Sequence, residues 1–176
     1  MDSNIDGLLK DFQKESLNIV NQLHSILDGA EDNVESHTEI EKFGQMVDRI
    51  MGGARSIQIL LPAKHNSIQW LEQIGNYAEI CKAVGYKASQ IKNNDSLYQV
   101  CVAFLMDATE ILENLIKSLE RPPQNLTPLI NETFIDRLKW INQQLGTNLR
   151  SSVSVSSNEE QATQSKIDEL LKKLGI

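Results

Sequence analysis

Apolar residues recur at spacings of three and four through the first 120 positions, and this spacing is the strongest constraint on the fold. Because an α-helix turns once every 3.6 residues, residues spaced in this way form one stripe that another helix must cover. The pattern predicts amphipathic helices, and no strand-like alternation competes with it. Four such stretches are present, and their expected inward residues are Ile5, Leu8, Leu9, Phe12, Ile19, Leu23 and Ile26, then Ile40, Phe43, Val47, Ile50, Met51 and Ala54, then Leu71, Ile74, Ala78, Cys81 and Ala88, and finally Leu97, Cys101, Phe104, Ala108, Ile111 and Leu115.

Short breaks separate these four stretches. Ser36 and Thr38 each lie three residues before a glutamate, which predicts a doubled capping box at the start of the second helix. Pro62 closes that segment, and the run 93–95 (Asn-Asn-Asp) breaks the chain and caps the fourth helix, with its Asp as a candidate cap. Four amphipathic helices with short joints predict an all-α fold, an antiparallel four-helix bundle over residues 1–120.

The sequence changes character after the fourth helix. Residues 121–150 contain three prolines that forbid a continuous helix, followed by a short amphipathic helix expected at about 132–145. This helix either docks on the bundle or remains separate. Residues 151–162 are rich in serine and predict a flexible linker, and residues 163–176 recover helical character as a C-terminal helix. The expected inward residues of the short helix are Phe134, Ile135, Leu138, Ile141 and Leu145.

Charge and hydropathy exclude several classes of function. The net charge of -7 argues against a nucleic-acid partner and against a polybasic membrane contact. No run approaches the roughly 18 apolar residues of a transmembrane helix. The N-terminal residues lack the basic and apolar regions of a signal peptide. The composition therefore predicts a cytoplasmic protein without membrane insertion.

Cysteine and histidine form no pattern that suggests a site. Cys81 and Cys101 lack a partner in metal-ligand spacing, so we interpret both as buried thiols of a reducing compartment. His24, His37 and His65 lie in no catalytic context and are expected to be ordinary surface residues. Phosphate-binding loops and hydrolase or metalloprotease motifs are absent from the sequence, so we expect no metal and no cofactor of the protein's own.

The C-terminal segment carries Ile167, Leu170, Leu171 and Leu174 on one helical face, at positions i, i+3, i+4 and i+7. A short helix on a tether does not hold itself folded in water. Such a segment is typical of one that folds into the groove of a partner protein. The alternative is a helix that packs on its own bundle, and the residues alone leave both interpretations open.

The same segment resembles the terminal CheY-binding helix of the CheZ family of chemotaxis phosphatases, whose pattern is Ser-Gln-x-x-Val-Asp-x-Leu-Leu-x-x-Leu-Gly-Phe. A related segment of the flagellar switch protein FliM also binds CheY. The resemblance implies a CheY-like response regulator as the partner, with Mg²⁺ held by the partner's receiver domain. The chain departs from the pattern at Thr163 and at Ile176, which takes the place of Phe. The partner-binding residues implied in the tail are Gln164, Ile167, Asp168, Leu170, Leu171, Leu174 and Ile176.

A candidate active face lies on the second helix, where Glu41, Gln45, Asp48 and Gly52 fall on one side at i, i+4, i+7 and i+11. A receiver aspartyl phosphate already has Mg²⁺ and a lysine beside it, so the missing element for hydrolysis is an oriented water. An amide side chain can orient a water in this way. We therefore regard Glu41 and Gln45 as the candidate catalytic pair, with Asp48 and Gly52 as partner-binding positions.

Residues 41–50 also resemble the phosphatase motif of the CheZ family, Asp-Leu-Thr-Gly-Gln-Val-Ile-Lys-Arg-Ile/Val. Gly44, Gln45 and Arg49 match the motif, and Glu41 replaces its Asp. The resemblance implies that Gln45 orients the attacking water and that Glu41 engages the partner's lysine. It also brings the expectation of a homodimer, because members of that family dimerise through helical hairpins.

Several alternatives stay open for this face. Glu41 could serve only the capping box, Gln45 could be an ordinary polar residue, and a second acid-x-x-x-Gln pair exists at Asp95 and Gln99. Residues 48–54 also resemble the His-x-x-Lys-Gly-Ser-Ala signature of histidine phosphotransfer (Hpt) domains, with Asp48 in the His position. That resemblance implies a non-catalytic adaptor that binds a CheY-like receiver without hydrolysis.

Overall fold

The computed structural model of the chain describes residues 2–31, 33, 35–120, 130–146 and 168–175, and every regular element within them is helical. The prediction of an all-α fold is confirmed for this part of the chain. The predicted linker at 151–162 lies outside the described residues. The helices are α1 (Asp2–Glu31), α2 (His37–Leu60), α3 (Ser67–Ala88), α4 (Asp95–Lys117), a 3₁₀ turn (Ser118–Glu120), α5 (Glu132–Leu145) and a C-terminal helix α6 (168–173).

The four long helices share one core. Both α1 and α3 contact α2 and α4, so each long helix has two neighbours. Most of the predicted inward residues are buried, although Leu8 is 36% exposed near the start of α1. Large aromatic residues fill the centre, and the fully buried ones include Phe43, Tyr77, Tyr98 and Phe104. No helix within the described ranges is both long enough and apolar enough to cross a membrane.

The most deeply enclosed helix is α3, in which 16 of 22 residues are buried. Two of its polar side chains bond across the core: Trp70 Nε1 donates to the Leu115 carbonyl at 2.8 Å, and the Tyr77 hydroxyl donates to the Ala108 carbonyl at 3.1 Å. Burial raises the pKa of Cys81 on α3, and that of Cys101 on α4, to about 12. Neither thiol is therefore a nucleophile near neutral pH, as the sequence predicted for two buried cysteines.

Two glycines allow α2 and α3 to approach closely. A Cβ on Gly85 would lie 2.8 Å from Phe43 Cδ1, and a Cβ on Gly44 would lie 2.9 Å from Tyr86 Cε2. Real Cβ atoms do not approach other carbon atoms at such distances, since contacts between carbon atoms are optimal near 3.5–4.0 Å. The two helices can therefore pack at this separation only while both positions lack a side chain.

The short helix predicted at 132–145 is α5. It docks on the rest of the chain by packing against α3 and α4. Phe134 stacks on Phe104 with ring centroids 4.7 Å apart, and Arg137 forms an ion pair with Asp107 of α4. At the other end of α5, Lys87 Nζ of α3 donates to the Gly146 carbonyl at 3.1 Å. A cation at a helix C-terminus interacts favourably with the helix dipole, so Lys87 fixes the end of α5.

The helix caps differ in part from the prediction. Asn94, and not Asp95, caps α4, since its Oδ1 accepts from Leu97 N at 3.1 Å. The prediction of a doubled capping box at the start of α2 is wrong, because Ser36 occupies the N-cap position without a side-chain hydrogen bond. Its backbone dihedrals of φ -75° and ψ 33° depart from the extended conformation that such a cap adopts.

Asn131 caps α5, and its removal tests how firmly that helix is held. Its Oδ1 accepts from Phe134 N at 2.9 Å. Asn131→Ala should destabilise the docked helix by about 1 kcal/mol and speed amide exchange within α5 about fivefold. Thr133→Ala, at an exposed position in the first turn, is the matched control and should leave exchange unchanged. Equal exchange in both variants would show that the cap contributes nothing.

Candidate functional site

The α2 face, formed by Glu41, Gln45, Asp48 and Gly52, lies on the outer side of the helix as the spacing predicted. Glu41, Gln45 and Gly52 are exposed and Asp48 is partly exposed. The opposite side of α2 faces the core, where Phe43, Gly44, Val47, Ile50 and Ala54 are buried. The structure therefore brings all four candidate residues of α2 to one surface.

Glu41 and Gln45 are the two groups on this face that no described residue engages through a hydrogen bond or an ion pair. Because α2 begins at His37, Glu41 is the fifth residue of the helix and not the third. The alternative in which Glu41 completes a capping box with Thr38 is therefore wrong. Residues four apart on a helix have Cβ atoms about 5–6 Å apart, so both side chains can reach one bound molecule.

Asp48 differs from these two because it is paired within the chain. Lys82 Nζ of α3 lies 2.5 Å from Asp48 Oδ1, and the Lys82 side chain is only 15% exposed. Such a half-exposed pair contributes at most about 1 kcal/mol to stability. The pairing does neutralise the charge that Asp48 presents to a partner.

Tyr86 lies one turn after Lys82 on α3 and completes the surroundings of the face. Burial, together with the negative charges of Asp48 and then of Glu41, raises the pKa of Tyr86 above its ordinary value. A neutral phenol beside two carboxylates is a hydrogen-bond donor close to the face. Sequence reasoning missed both Lys82 and Tyr86, because no spacing within one helix reveals the register of its neighbour.

The ring of Tyr86 also explains Gly44. The space that a side chain at Gly44 would occupy is filled by this ring, at 2.9 to 3.2 Å from the Cβ position. A glycine inside a helix destabilises it by about 1 kcal/mol relative to alanine. Packing against α3 of the same chain is therefore sufficient to explain this glycine.

Ion pairs hold α2 on both sides. Arg49 Nη2 lies 3.1 Å from Glu15 of α1, and Arg55 pairs with Glu79 of α3. Farther along α2, a Cβ on Gly53 would lie 3.0 Å from the Phe12 ring of α1. The helix that carries the face is thus supported by both of its neighbours, which favours a fixed geometry for its outer side chains.

The second acid-x-x-x-Gln pair, Asp95 and Gln99, is as exposed as Glu41 and Gln45. Asp95 is the first residue of α4, Gln99 follows one turn later, and both are exposed. Exposure alone therefore does not separate this pair from Glu41 and Gln45. What distinguishes the α2 pair is Tyr86 of α3, whose ring packs against Gly44 of the same helix and whose pKa is raised in part by the charge of Glu41.

The three histidines are structural and not ordinary surface residues, so that expectation is wrong. His24 Nε2 lies 3.3 Å from Glu113 of α4, and the ring of His37 packs edge-on against Tyr98 with centroids 5.1 Å apart. His65 Nδ1 accepts from Ser67 N at 3.2 Å at the start of α3. All three are partly buried, and none of them lies on α2 at the position that an Hpt domain uses.

The described part of the tail packs on its own chain. Leu170, Leu171 and Leu174 are 3%, 5% and 4% exposed and belong to the main hydrophobic core, while Asp168 is exposed. In this conformation the tail therefore packs on its own chain and not on a partner. The remaining predicted contact residues, Gln164, Ile167 and Ile176, lie outside the described residues.

The described residues contain no group of three or more His, Cys, Asp or Glu side chains that could hold a metal ion. Comparison of the chain with protein-family models, with curated proteins and with solved structures gives no match. The functional hypothesis therefore depends on the geometry of the α2 face and on the resemblance of two short segments.

Proposed function

We propose that this protein is a phosphatase for the aspartyl phosphate of a CheY-like response regulator, with Gln45 and Glu41 as the catalytic residues. The observation that carries the proposal is the state of these two side chains. They lie one turn apart, exposed and unengaged by described residues, on a helix that both of its neighbours support. The resemblance of residues 41–50 to the CheZ motif agrees with this choice.

The proposed reaction requires only a small contribution from this protein. In the receiver, a water oxygen attacks the phosphorus, the bond to the aspartate oxygen breaks, and inorganic phosphate and a free carboxylate result. Gln45 orients that water through its amide, while Glu41 pairs with the receiver's lysine and fixes the approach. The Mg²⁺ that neutralises the developing charge belongs to the partner, so the proposal needs no cofactor in this chain.

The proposal includes the architecture and the setting. We infer that α1 to α4 form an antiparallel four-helix bundle that presents the α2 face, and that the tail residues 163–176 bind the same regulator. Response regulators of this type act in the cytoplasm, which agrees with the expectation from composition. Association into a homodimer stays a prediction that solution measurements of mass would test.

One observation favours the alternative, a non-catalytic Hpt-like adaptor. Part of the motif resemblance depends on Gly44, and packing against Tyr86 is sufficient to explain this glycine. Asp48 in the Hpt histidine position is a partly exposed acid paired with Lys82, which suits a surface that binds and does not accept phosphate. Both hypotheses use the same face and the same partner, so only turnover separates them.

The deciding experiment follows dephosphorylation of a CheY-type receiver domain that has been phosphorylated with acetyl phosphate. A substoichiometric amount of the protein should accelerate loss of the phosphoryl group, with many turnovers per chain. If the protein binds the phosphorylated receiver and leaves its decay rate unchanged, the phosphatase proposal fails and the adaptor takes its place.

A further inference from the structure

Leu170, Leu171 and Leu174 of α6 are buried against their own chain, and Leu171 lies beside α5. Helix α5 provides Glu132, Ile135, Asp136 and Lys139 along a cleft that Asp168 and Leu171 close from the other side. We call this surface of α5 the α5 cleft. On the opposite side of α6, the polar residues Glu169, Lys172 and Lys173 remain exposed.

Docking accounts for the helical state of α6. A helix of six residues is far below the length that is stable alone in water. Its buried leucines supply the contacts that hold it, and an i,i+4 ion pair between Lys173 and Glu169 at 2.9 Å adds little at an exposed position. When α6 leaves the α5 cleft, it therefore loses its helical state until another surface binds it.

We propose that the same leucine face serves two mutually exclusive surfaces, the α5 cleft of its own chain and the receiver domain of the partner. This inference depends on the proposed function for the identity of the partner. Leu170, Leu171 and Leu174 are almost completely covered by their own chain, so no second protein can contact them in this state. The tail must undock before it binds, and the docked state lowers the apparent affinity for the partner by the fraction of tails that are free.

The chain length permits such an exchange. Between Gly146 and Asp168 there are 21 residues. A segment of this length can reach at most about 70 Å when fully extended, at roughly 3.3–3.6 Å per residue. An undocked tail can therefore bind a receiver that sits on the α2 face or in solution.

The charges of the α5 cleft provide a way to shift the balance. Three carboxylates line it, on Glu132, Asp136 and Asp168, against the single amine of Lys139. Lys139 is exposed, so Lys139→Glu adds a fourth carboxylate without disturbing the core. Repulsion of Asp168 should then weaken docking of α6, while Asp136→Lys should strengthen it.

Docking itself is tested first, without any partner. The two cysteines are buried, so a spin label attached to Lys172→Cys, at an exposed position, modifies one site. We expect the label to broaden the amide resonances of α5, whose residues share the cleft with Leu171. In Lys139→Glu the broadening of α5 should diminish. Unbroadened α5 resonances in the otherwise wild-type protein overturn the inference.

The competition is tested by titrating each full-length protein with a receiver domain that beryllofluoride holds in its active state. Lys139→Glu should bind about fivefold more tightly than wild type and Asp136→Lys about fivefold more weakly. Lys92→Glu is the matched control, because it makes the same charge change at an exposed position outside the α5 cleft. Equal affinities for Lys139→Glu and Lys92→Glu overturn the competition.

Leu171→Asp separates failure of this inference from failure of the proposed function. The charge at position 171 should prevent the leucine face from packing on either surface. We therefore expect it to abolish both the broadening of the α5 resonances and the tail-dependent binding of the receiver. A receiver that binds wild type and all variants equally contradicts the competition and leaves the phosphatase proposal standing. If the receiver binds none of these proteins, the assignment of a CheY-like partner is wrong, and both proposals fail.

Discussion

Gln45→Ala should lower the rate of receiver dephosphorylation at saturating protein by about 100-fold, because an unoriented water attacks far less often from a productive position. The affinity for the receiver should change little, since Gln45 is exposed and forms no hydrogen bond with any described residue. The measurement is phosphate release under single-turnover conditions, with binding recorded separately by fluorescence of a labelled receiver.

The structure offers a matched control for this prediction. Gln99→Ala removes the same amide from an equally exposed position of the other acid-x-x-x-Gln pair and should retain full activity. Glu41→Gln should mainly raise KM, because its proposed role is to pair with the partner's lysine. If Gln45→Ala and Gln99→Ala are equally active, the assignment of the α2 face is wrong even if the protein is a phosphatase.

Gly85→Ala should destabilise the protein by about 1–2 kcal/mol, because the new methyl group meets the ring of Phe43 at 2.8 Å. Phe43 is fully buried, so its ring cannot move out into solvent to relieve the clash. The overpacking should exceed the gain of up to about 1 kcal/mol that alanine brings to a helix in place of glycine. The free energy of unfolding in urea measures the balance of these two effects.

Gly29→Ala is the control of opposite sign. Gly29 is exposed within α1, and a Cβ at this position has no neighbour within 4 Å. Alanine should therefore stabilise the protein by about 0.5–1 kcal/mol through helix propensity alone. A stabilising Gly85→Ala would mean that α2 and α3 separate easily, and the proposed rigid support of the α2 face would then be lost.

Local periodicity was sufficient to predict the helices and much of their buried stripes. It was also sufficient for the outward placement of Glu41 and Gln45, since the direction of a side chain on a helix follows from its spacing to buried residues such as Phe43 and Val47. The prediction of a capping box failed because a Ser or Thr three residues before a Glu is compatible with several positions for the start of the helix. Ser36 takes a conformation in which its side chain bonds to no backbone amide.

Contacts between helices could not be predicted in this way. One apolar stripe was assigned to α3, yet Trp70, Tyr77 and Lys87 are also buried because α5 and the 3₁₀ turn cover further sides of this helix. The pairing of Lys82 with Asp48 depends on the relative rotation of two helices, which no single helix encodes. The same limit applies to the tail, whose leucine face fits a partner and its own α5 equally well by pattern.

The enclosed position of α3 and the open position of the α2 face have a consequence for how the protein tolerates mutation. Substitutions at most positions of α3 disturb packing, so selection for folding alone constrains that helix. Gln45 and Glu41 are exposed, and no described residue forms a hydrogen bond or an ion pair with either of them. Under the proposed function, a single change at Gln45 therefore removes catalysis while the scaffold persists, and a chain that binds the receiver without hydrolysing its phosphate lies one mutation away.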